Sequence, residues 1–342
     1  MAEPQHAWNA ARLIPTSGIN GADEQERRAT SALLAVMSTV KEFNRAIIGP
    51  LGAPVGAVEC FIEVPFDLNG KRIFPDGLIR VKRGAKSWTA LVEVKTGVNE
   101  LKREQLENYL DVAREHGFDA LITISNEIPA AIGTHPTEVD GRKLRSVKLH
   151  HISWAEVLSH AVLQKEFRGV ADPEQAWILG ELIRYLEHPK SGALEFNDMG
   201  PNWVAVRDAV TAPTLRKSDK GAAEVAARFD SLIRFTALKL GQRLGTEVTQ
   251  VLTRSQLADP ASRTAALAGR LIADGVLHAE IAIPNAVSPL AVHADLRSGQ
   301  LTCSFTLAAP ADGRATTRVN CCLLYTSTSP RDLSTSRMPS SA

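Results

Sequence analysis

Residues 72–97 read RIFPDGLIRVKRGAKSWTALVEVKTG. Two apolar runs rich in β-branched residues flank KRGAK (82–86), which predicts paired strands around a turn. The same stretch places Asp76, Glu93 and Lys95 inside segments that otherwise read as buried strand. Charge is costly to desolvate unless it is paired, hydrogen-bonded or bound to a metal, so these three residues need a reason.

Side chains alternate faces along a strand. Over 87–95 this puts Trp88, Ala90, Val92 and Val94 on one side and Leu91, Glu93 and Lys95 on the other. Asp76 follows Pro75, a residue that bends or ends strand pairing. Two carboxylates and an ammonium converging at the mouth of a small sheet can hold a hard divalent cation through oxygen ligands. A lysine beside the metal-bound water is the apparatus of metal-assisted phosphodiester hydrolysis. The alternative stays open at this point: Asp76 caps a turn, and Glu93 and Lys95 form a solvated strand face.

Outward from this stretch, Ala29, Ala32, Leu33, Val36, Met37, Val40 and Phe43 recur at helical spacing and predict a helix over 22–46. VECFIEVPF (58–66) reads as a first strand, Asn69-Gly70 as a hairpin turn, RIFPDGLIRV (72–81) as a second strand and SWTALVEVK (87–95) as a third. A helix over about 100–115 stops at Gly117. Strands at 119–126 and 147–153 come next, then a helix from Trp154 behind Ser153 and another behind Asp172-Pro173. The order predicts a mixed sheet flanked by helices, an α/β fold. Helices near 221–244 and 260–274 and alternating strands at 278–284, 290–296 and 301–308 predict a small α+β unit with an antiparallel meander.

Two flanking helices carry polar residues on apolar faces. Glu26 falls on the buried stripe of the first helix, as an added acidic group acting on the metal or as a residue suited to the helix N-terminal dipole; Glu24, in register with Arg28, faces solvent. In the helix after the third strand, Val98, Leu101, Gln105, Tyr109 and Val112 share a stripe. Gln105 and Tyr109 lie one turn apart there, a substrate clamp or a packed hydrogen-bonded pair. Lys71, Arg72, Arg80, Lys82, Arg83 and Lys86 contact phosphates or form a solvated hairpin edge. Of His150-His151, one points inward as a satisfied buried histidine. Trp154, Trp177 and Trp203 read as core anchors.

P-D followed by E-x-K, with an acidic residue in the preceding helix and Q-x-x-x-Y in the following one, resembles the PD-(D/E)XK nuclease superfamily. The motifs stand as Pro75-Asp76, Glu93-Val94-Lys95, Glu26 and Gln105 to Tyr109, within residues 20–165. The Q-x-x-x-Y feature is similar to the branch that includes nuclease domains of bacterial recombination exonucleases. The resemblance implies a restriction-endonuclease-like fold (α-β-β-β-α-β-β) and a DNA substrate, in repair or defence. It implies Mg²⁺ or Mn²⁺ held by Asp76, Glu93 and the carbonyl of Val94, and Lys95 assisting hydrolysis that leaves a 5′-phosphate. The chain lacks the cluster cysteines that some of those nucleases carry. It also lacks a Walker-type phosphate loop, so no nucleotide cofactor is expected.

The 342 residues are 44% hydrophobic and 23% charged, with formal net charge +1, so no global field draws nucleic acid and any such surface is local. Cysteine spacing supports neither a disulfide framework nor a zinc site. No signal peptide or membrane-spanning run is read, so a cytoplasmic protein is expected, with homo-oligomerisation open. The organisation expected is a nuclease-like domain at 20–165, a helical connection at 166–200, an accessory α+β domain at 201–320 and a foreign tail at 321–342. The run from Cys322 to Ala342 abandons the composition of the rest and resembles the in-frame translation of a sequencing-library adapter, which would replace the natural C-terminus. Two competing functions stand beside the nuclease. One is a non-catalytic module of the same fold binding DNA or a protein partner in stress regulation. The other is a scaffold whose C-terminal unit carries the activity.

Overall fold

The structure is a computed structural model that describes residues 9–10, 13, 24–129, 133–193 and 195–307; the tail at 321–342 lies outside the described residues. A two-residue strand, Asn9–Ala10 (β1), precedes helices Glu24–Thr39 (α1) and Lys41–Ile48 (α2). Apolar periodicity predicts one helix over 22–46; the chain forms two. Ser38 and Thr39 account for the break, because both hydroxyls bond the Ala35 carbonyl, at 2.8 and 2.9 Å, and compete with the backbone ladder. Val40 is then extended, and Asn44 Nδ2 donates to the Met37 carbonyl at 2.9 Å.

Strands Ala57–Ile62 (β2), Phe66–Leu68 (β3), Lys71–Ile73 (β4), Gly77–Arg83 (β5) and Lys86–Val94 (β6) follow. The expected strands at 58–66 and 72–81 are therefore both interrupted. β2 pairs antiparallel with β5, Ile62 opposite Gly77, while the chain between them buds into its own hairpin, β3 against β4. Asn69 (φ 51°) and Gly70 (φ 77°) supply the two positive φ values that a tight two-residue hairpin turn requires. Pro75 cannot donate to a ladder and separates β4 from β5.

Helix Arg103–Glu115 (α3) then connects β6 to Ala120–Ser125 (β7), and a longer connection leads to Lys148–Ser153 (β8). The sheet runs β1-β2-β5-β6-β7-β8, with β6–β7 and β7–β8 parallel and the remaining pairs antiparallel. Helices α1 and α2, with Trp154–Val162 (α4) and Pro173–Glu187 (α5), close one face over Ile79, Ala90, Val92, Val94, Ile122 and Ile124. On the other face α3 sets Leu106, Tyr109 and Leu110 against Leu78, Leu91 and Leu121. The predicted alternation in β6 holds, and its central place buries both faces. Ser153 caps α4 in a reciprocal box with Glu156, and Asp172 caps α5 ahead of Pro173. Of the expected core tryptophans Trp154 is buried, but Trp177 is 60% exposed on the outer side of α5.

The C-terminal unit comprises Trp203–Thr211 (α6), Gly221–Leu244 (α7), Thr249–Gln250 (β9), Arg254–Ala258 (α8), Pro260–Asp274 (α9), Val276–Ala282 (β10), Leu290–Asp295 (β11) and Gln300–Ser304 (β12). Its separate antiparallel sheet is ordered β12-β11-β10-β9, and α6, α7 and α9 share an apolar core with it, which Trp203 joins from the edge. Gly245 and Gly275, both left-handed, end α7 and α9. Within that core Asp230 is fully buried; Arg263 Nε and Nη2 bond its two oxygens at 2.7 Å each, and Gln250 Nε2 adds a third bond at 2.7 Å. No helix among the described residues is long and apolar enough to cross a membrane.

Asp230→Ala would leave Arg263 buried without its counter-charge, and removing one partner of such a pair costs about 3–5 kcal/mol. Equilibrium urea unfolding should show a loss in that range; a loss under about 1 kcal/mol, typical of a wet surface pair, would mean that water screens Arg263.

Candidate active site

Strand register builds the centre. Gly77 pairs with Val92, so one further step of the antiparallel pair brings Asp76 beside Glu93. The backbone ladder has ended there, and Asp76 Oδ2 accepts from the Val94 N–H instead, at 2.8 Å. On the other flank Glu93 is the registered partner of Thr123, and Thr123 of His151. Registered neighbours share a face, so Asp76, Glu93, Thr123 and His151 make one polar row across β5, β6, β7 and β8, on the side covered by α3.

Glu93 is 0% exposed. Neither of its carboxylate oxygens accepts a well-formed hydrogen bond among the described residues, although Lys95 Nζ stands 2.6 Å from Oε1 as an ion pair. The same ammonium donates to Glu26 Oε1 at 2.8 Å and to the Val94 carbonyl at 3.0 Å. Glu26 lies in the first turn of α1, where the helix dipole favours a carboxylate, and Asn99 Nδ2 reaches its other oxygen at 3.4 Å. The hydrogen bonds of Glu26 thus go to Lys95 and Asn99, which makes it a holder of the lysine. Glu24 pairs with Arg28 on the wetter side of α1, as its register requires.

Three carboxylates share one ammonium in this recess. Burial raises the Asp76 pKa well above the ordinary carboxylate range, and the charge of Glu93 adds to that, against the pull of Lys95 and the Val94 N–H. Glu93 is raised as well, chiefly by burial, with Lys95 opposing. For Lys95 burial works the other way, yet Glu93 and Asp76 outweigh it and raise its pKa, so it is an ammonium at neutral pH.

Gln105 Nε2 donates to the Tyr109 hydroxyl at 3.0 Å, and that hydroxyl donates to the Phe74 carbonyl at 3.3 Å. The pair braces the Phe74-Pro75-Asp76 segment from α3. Tyr109 is 4% exposed, and burial followed by the charge of Glu93 pushes its phenol pKa up. Val98, placed on the same stripe by spacing, precedes α3 and is 89% exposed.

Spacing gave no signal for Thr123 or His135. Thr123 Oγ1 lies 2.8 Å from His135 Nε2 and 2.9 Å from His151 Nδ1. His151 Nε2 faces the Glu127 carbonyl at 2.9 Å, so that nitrogen carries the proton. Burial lowers the His151 pKa to about 4, which keeps the ring neutral and Nδ1 an acceptor for the Thr123 hydroxyl. His135 Nε2 stands at the same hydroxyl, and its Nδ1 lies 2.8 Å from the Thr137 carbonyl and 3.0 Å from the Thr137 nitrogen. His150 faces the opposite side of the sheet, as alternation requires.

The six basic residues do not form one patch. Lys82, Arg83 and Lys86 sit at the β5–β6 turn, and the residue difference 83 − 76 puts Arg83 roughly 23 Å along the strand from Asp76. Lys82 is paired with Glu59 at 2.9 Å. Lys71 and Arg72 are exposed on β4, next in the chain to the Phe74-Asp76 segment. Among the described residues no three His, Cys, Asp or Glu side chains form a metal centre by themselves. The donors at hand are the Asp76 and Glu93 carboxylates and the Val94 carbonyl, a hard oxygen set. Three carboxylates around one ammonium leave a surplus of negative charge that suits a divalent cation.

Comparison with protein-family models, with curated proteins and with solved structures finds no match to this chain.

Raised carboxyl pKa values mean that the metal-free folded chain holds protons more tightly than the unfolded one. The resulting stability is full below the unfolded carboxylate pKa, about 4, and is lost as pH rises through the folded values. Asp76→Asn removes a charge but keeps an acceptor for the Val94 N–H. In EDTA the variant should melt roughly 2–4 °C above the parent at about pH 8 and level with it at about pH 4. A gap that does not change with pH would show that Lys95 already neutralises the pair.

Proposed function

We propose that the chain is a divalent-metal-dependent nuclease that hydrolyses phosphodiester bonds of DNA, on a restriction-endonuclease-like sheet of the PD-(D/E)XK type. The observation that carries the reading is Glu93: a fully buried carboxylate beside Asp76, with the Lys95 ammonium 2.6 Å from Oε1. A strand kept only for packing gains nothing from such a group. The brace from Gln105 and Tyr109 onto the Phe74 carbonyl, and the grip of Glu26 on Lys95, give further support.

Asp76, Glu93 and the Val94 carbonyl would hold Mg²⁺ or Mn²⁺, which when bound lowers the pKa of water and offsets charge on the phosphate. In the metal-free chain the charges of Glu93 and Asp76 hold Lys95 as an ammonium. It serves as a fixed positive charge, stabilising the phosphoryl oxygens as the water oxygen bonds to phosphorus and the bond from phosphorus to the 3′-oxygen breaks. Glu26 and the Val94 carbonyl keep that charge in place, so no reorganisation is needed as the reaction proceeds. The products are a 5′-phosphate and a 3′-hydroxyl. Lys71 and Arg72 offer backbone phosphate contacts, which position a strand without reading its sequence.

The test is cleavage of supercoiled and linear DNA by the full chain in Mg²⁺, Mn²⁺ or EDTA. Cutting should require the cation, and Asp76→Ala and Lys95→Ala should each slow single-turnover cleavage by about 10²-fold or more. A folded parent that binds DNA and cuts nothing in either metal would sink the reading in favour of a binding module.

A further inference from the structure

We infer that Ser231 and Arg234, on α7 of the C-terminal unit, are positioning residues for Lys95, acting through residues 126–129 and the first turn of α4; the inference rests on the nuclease reading.

Residues 126–129 run irregularly from the end of β7. Three successive carbonyls in this segment are each held by a side chain from elsewhere. His151 Nε2 donates to Glu127 O at 2.9 Å, Ser231 Oγ to Ile128 O at 2.6 Å, and Arg234 Nη1 to Pro129 O at 3.0 Å. Asn126, at the head of the segment, gives its amide to the carbonyls of Gly97 and Gly192, at 2.9 and 2.7 Å. The Gly97 N–H also bonds the Gly192 carbonyl, at 2.9 Å. At Gly192 (φ 84°) a Cβ would come within 2.7 Å of both Gln25 and Thr96, so the backbone there packs directly against those two side chains. Gly97 follows Lys95 by two residues.

A second path meets the first. Trp154 Nε1, at the start of α4, donates to the Lys95 carbonyl at 2.9 Å. The first turn of α4 is fixed by Glu156, one of whose oxygens takes the Ser153 N–H at 2.8 Å while the other is bonded by Arg234 Nη2. Arg234 therefore grips both supports of the Lys95 backbone. Both α7 residues are buried, while the apolar side of α7 packs within its own unit through Phe229, Ile233 and Ala237. A buried guanidinium between two cores is a poor way to gain stability, since apolar side chains of the same volume serve as well or better. It is a good way to fix backbone carbonyls in one place. Placement matters because displacing a catalytic group by about 1 Å can cost on the order of 10²-fold in rate.

The experiment uses the full chain with Ser231→Ala, Arg234→Met and Arg234→Lys, followed by single-turnover DNA cleavage and by amide hydrogen exchange of residues 94–99. Ser231→Ala removes one hydrogen bond and should fold in any case. Expected are a fall in rate of about 10-fold for Ser231→Ala and up to about 10²-fold for Arg234→Met, with DNA affinity kept and partial rescue by Arg234→Lys. Exchange at 94–99 should quicken while α7 stays protected, and Arg234→Met should add little to the loss already caused by Lys95→Met. Unchanged rate and exchange in folded variants would overturn the inference, and so would faster exchange spread evenly over the chain, the mark of a merely structural residue. A parent that cuts nothing overturns the nuclease reading and the positioning role with it. A parent that cuts, with variants that match it, removes the positioning role alone.

Discussion

A fully buried glutamate in the central strand of the sheet is the constraint to which the site answers. Taking the Glu93 carboxylate out of water costs several kcal/mol unless something compensates. One ammonium, Lys95, lies against it, but that ammonium is shared with Glu26 and the Val94 carbonyl. Asp76 adds a further negative charge on the strand beside it. The recess is therefore short of positive charge, and the carboxyl groups hold their protons more tightly than they would in water. The same imbalance makes the recess a cost to the fold.

The sheet concentrates the imbalance at one end. β6, β7 and β8 run parallel, so their C-terminal ends come together, and the N-terminus of α1 arrives beside them with Glu26. Apolar layers seal both faces of β6 up to Val94. Charge at the end of such a strand acts through a low-dielectric surround, where each interaction is stronger than in water. Tyr109 extends that control to the Pro75-Asp76 segment, because its hydroxyl fixes the Phe74 carbonyl two residues before the aspartate.

Much of this was legible in the sequence for a physical reason: period-two alternation needs no partner to be seen. The face assignment of β6, the cap at Ser153, the Asn69-Gly70 turn and the span of α7 all follow from local chemistry. Competition between local and backbone bonding was less visible. The break at Val40 depends on two hydroxyls choosing the Ala35 carbonyl, and the β3–β4 hairpin on Pro75 withholding a donor. Contacts at long separation were not legible at all. Thr123 reads as an ordinary strand residue until β8 brings His151 alongside, and His135 reaches it from a loop without periodicity. Trp177 shows the converse, an aromatic that suits a core by type yet lies outward because α5 turns its other side to the sheet.

The expected division takes its first boundary, near residue 165, from the family resemblance and its second, near 201, from a change of pattern, which reports where cores form. Cores do form separately, since α6, α7 and α9 close over their own sheet. Hydrogen bonding divides the molecule elsewhere. Gly192, in the expected connection, accepts bonds from both Gly97 and Asn126, and α7 holds the segment that Asn126 begins. Buried backbone carbonyls must be satisfied wherever the chain is irregular, and the segment after β7 is satisfied by side chains of the second unit. The two units therefore share one hydrogen-bonded boundary although their apolar cores are separate.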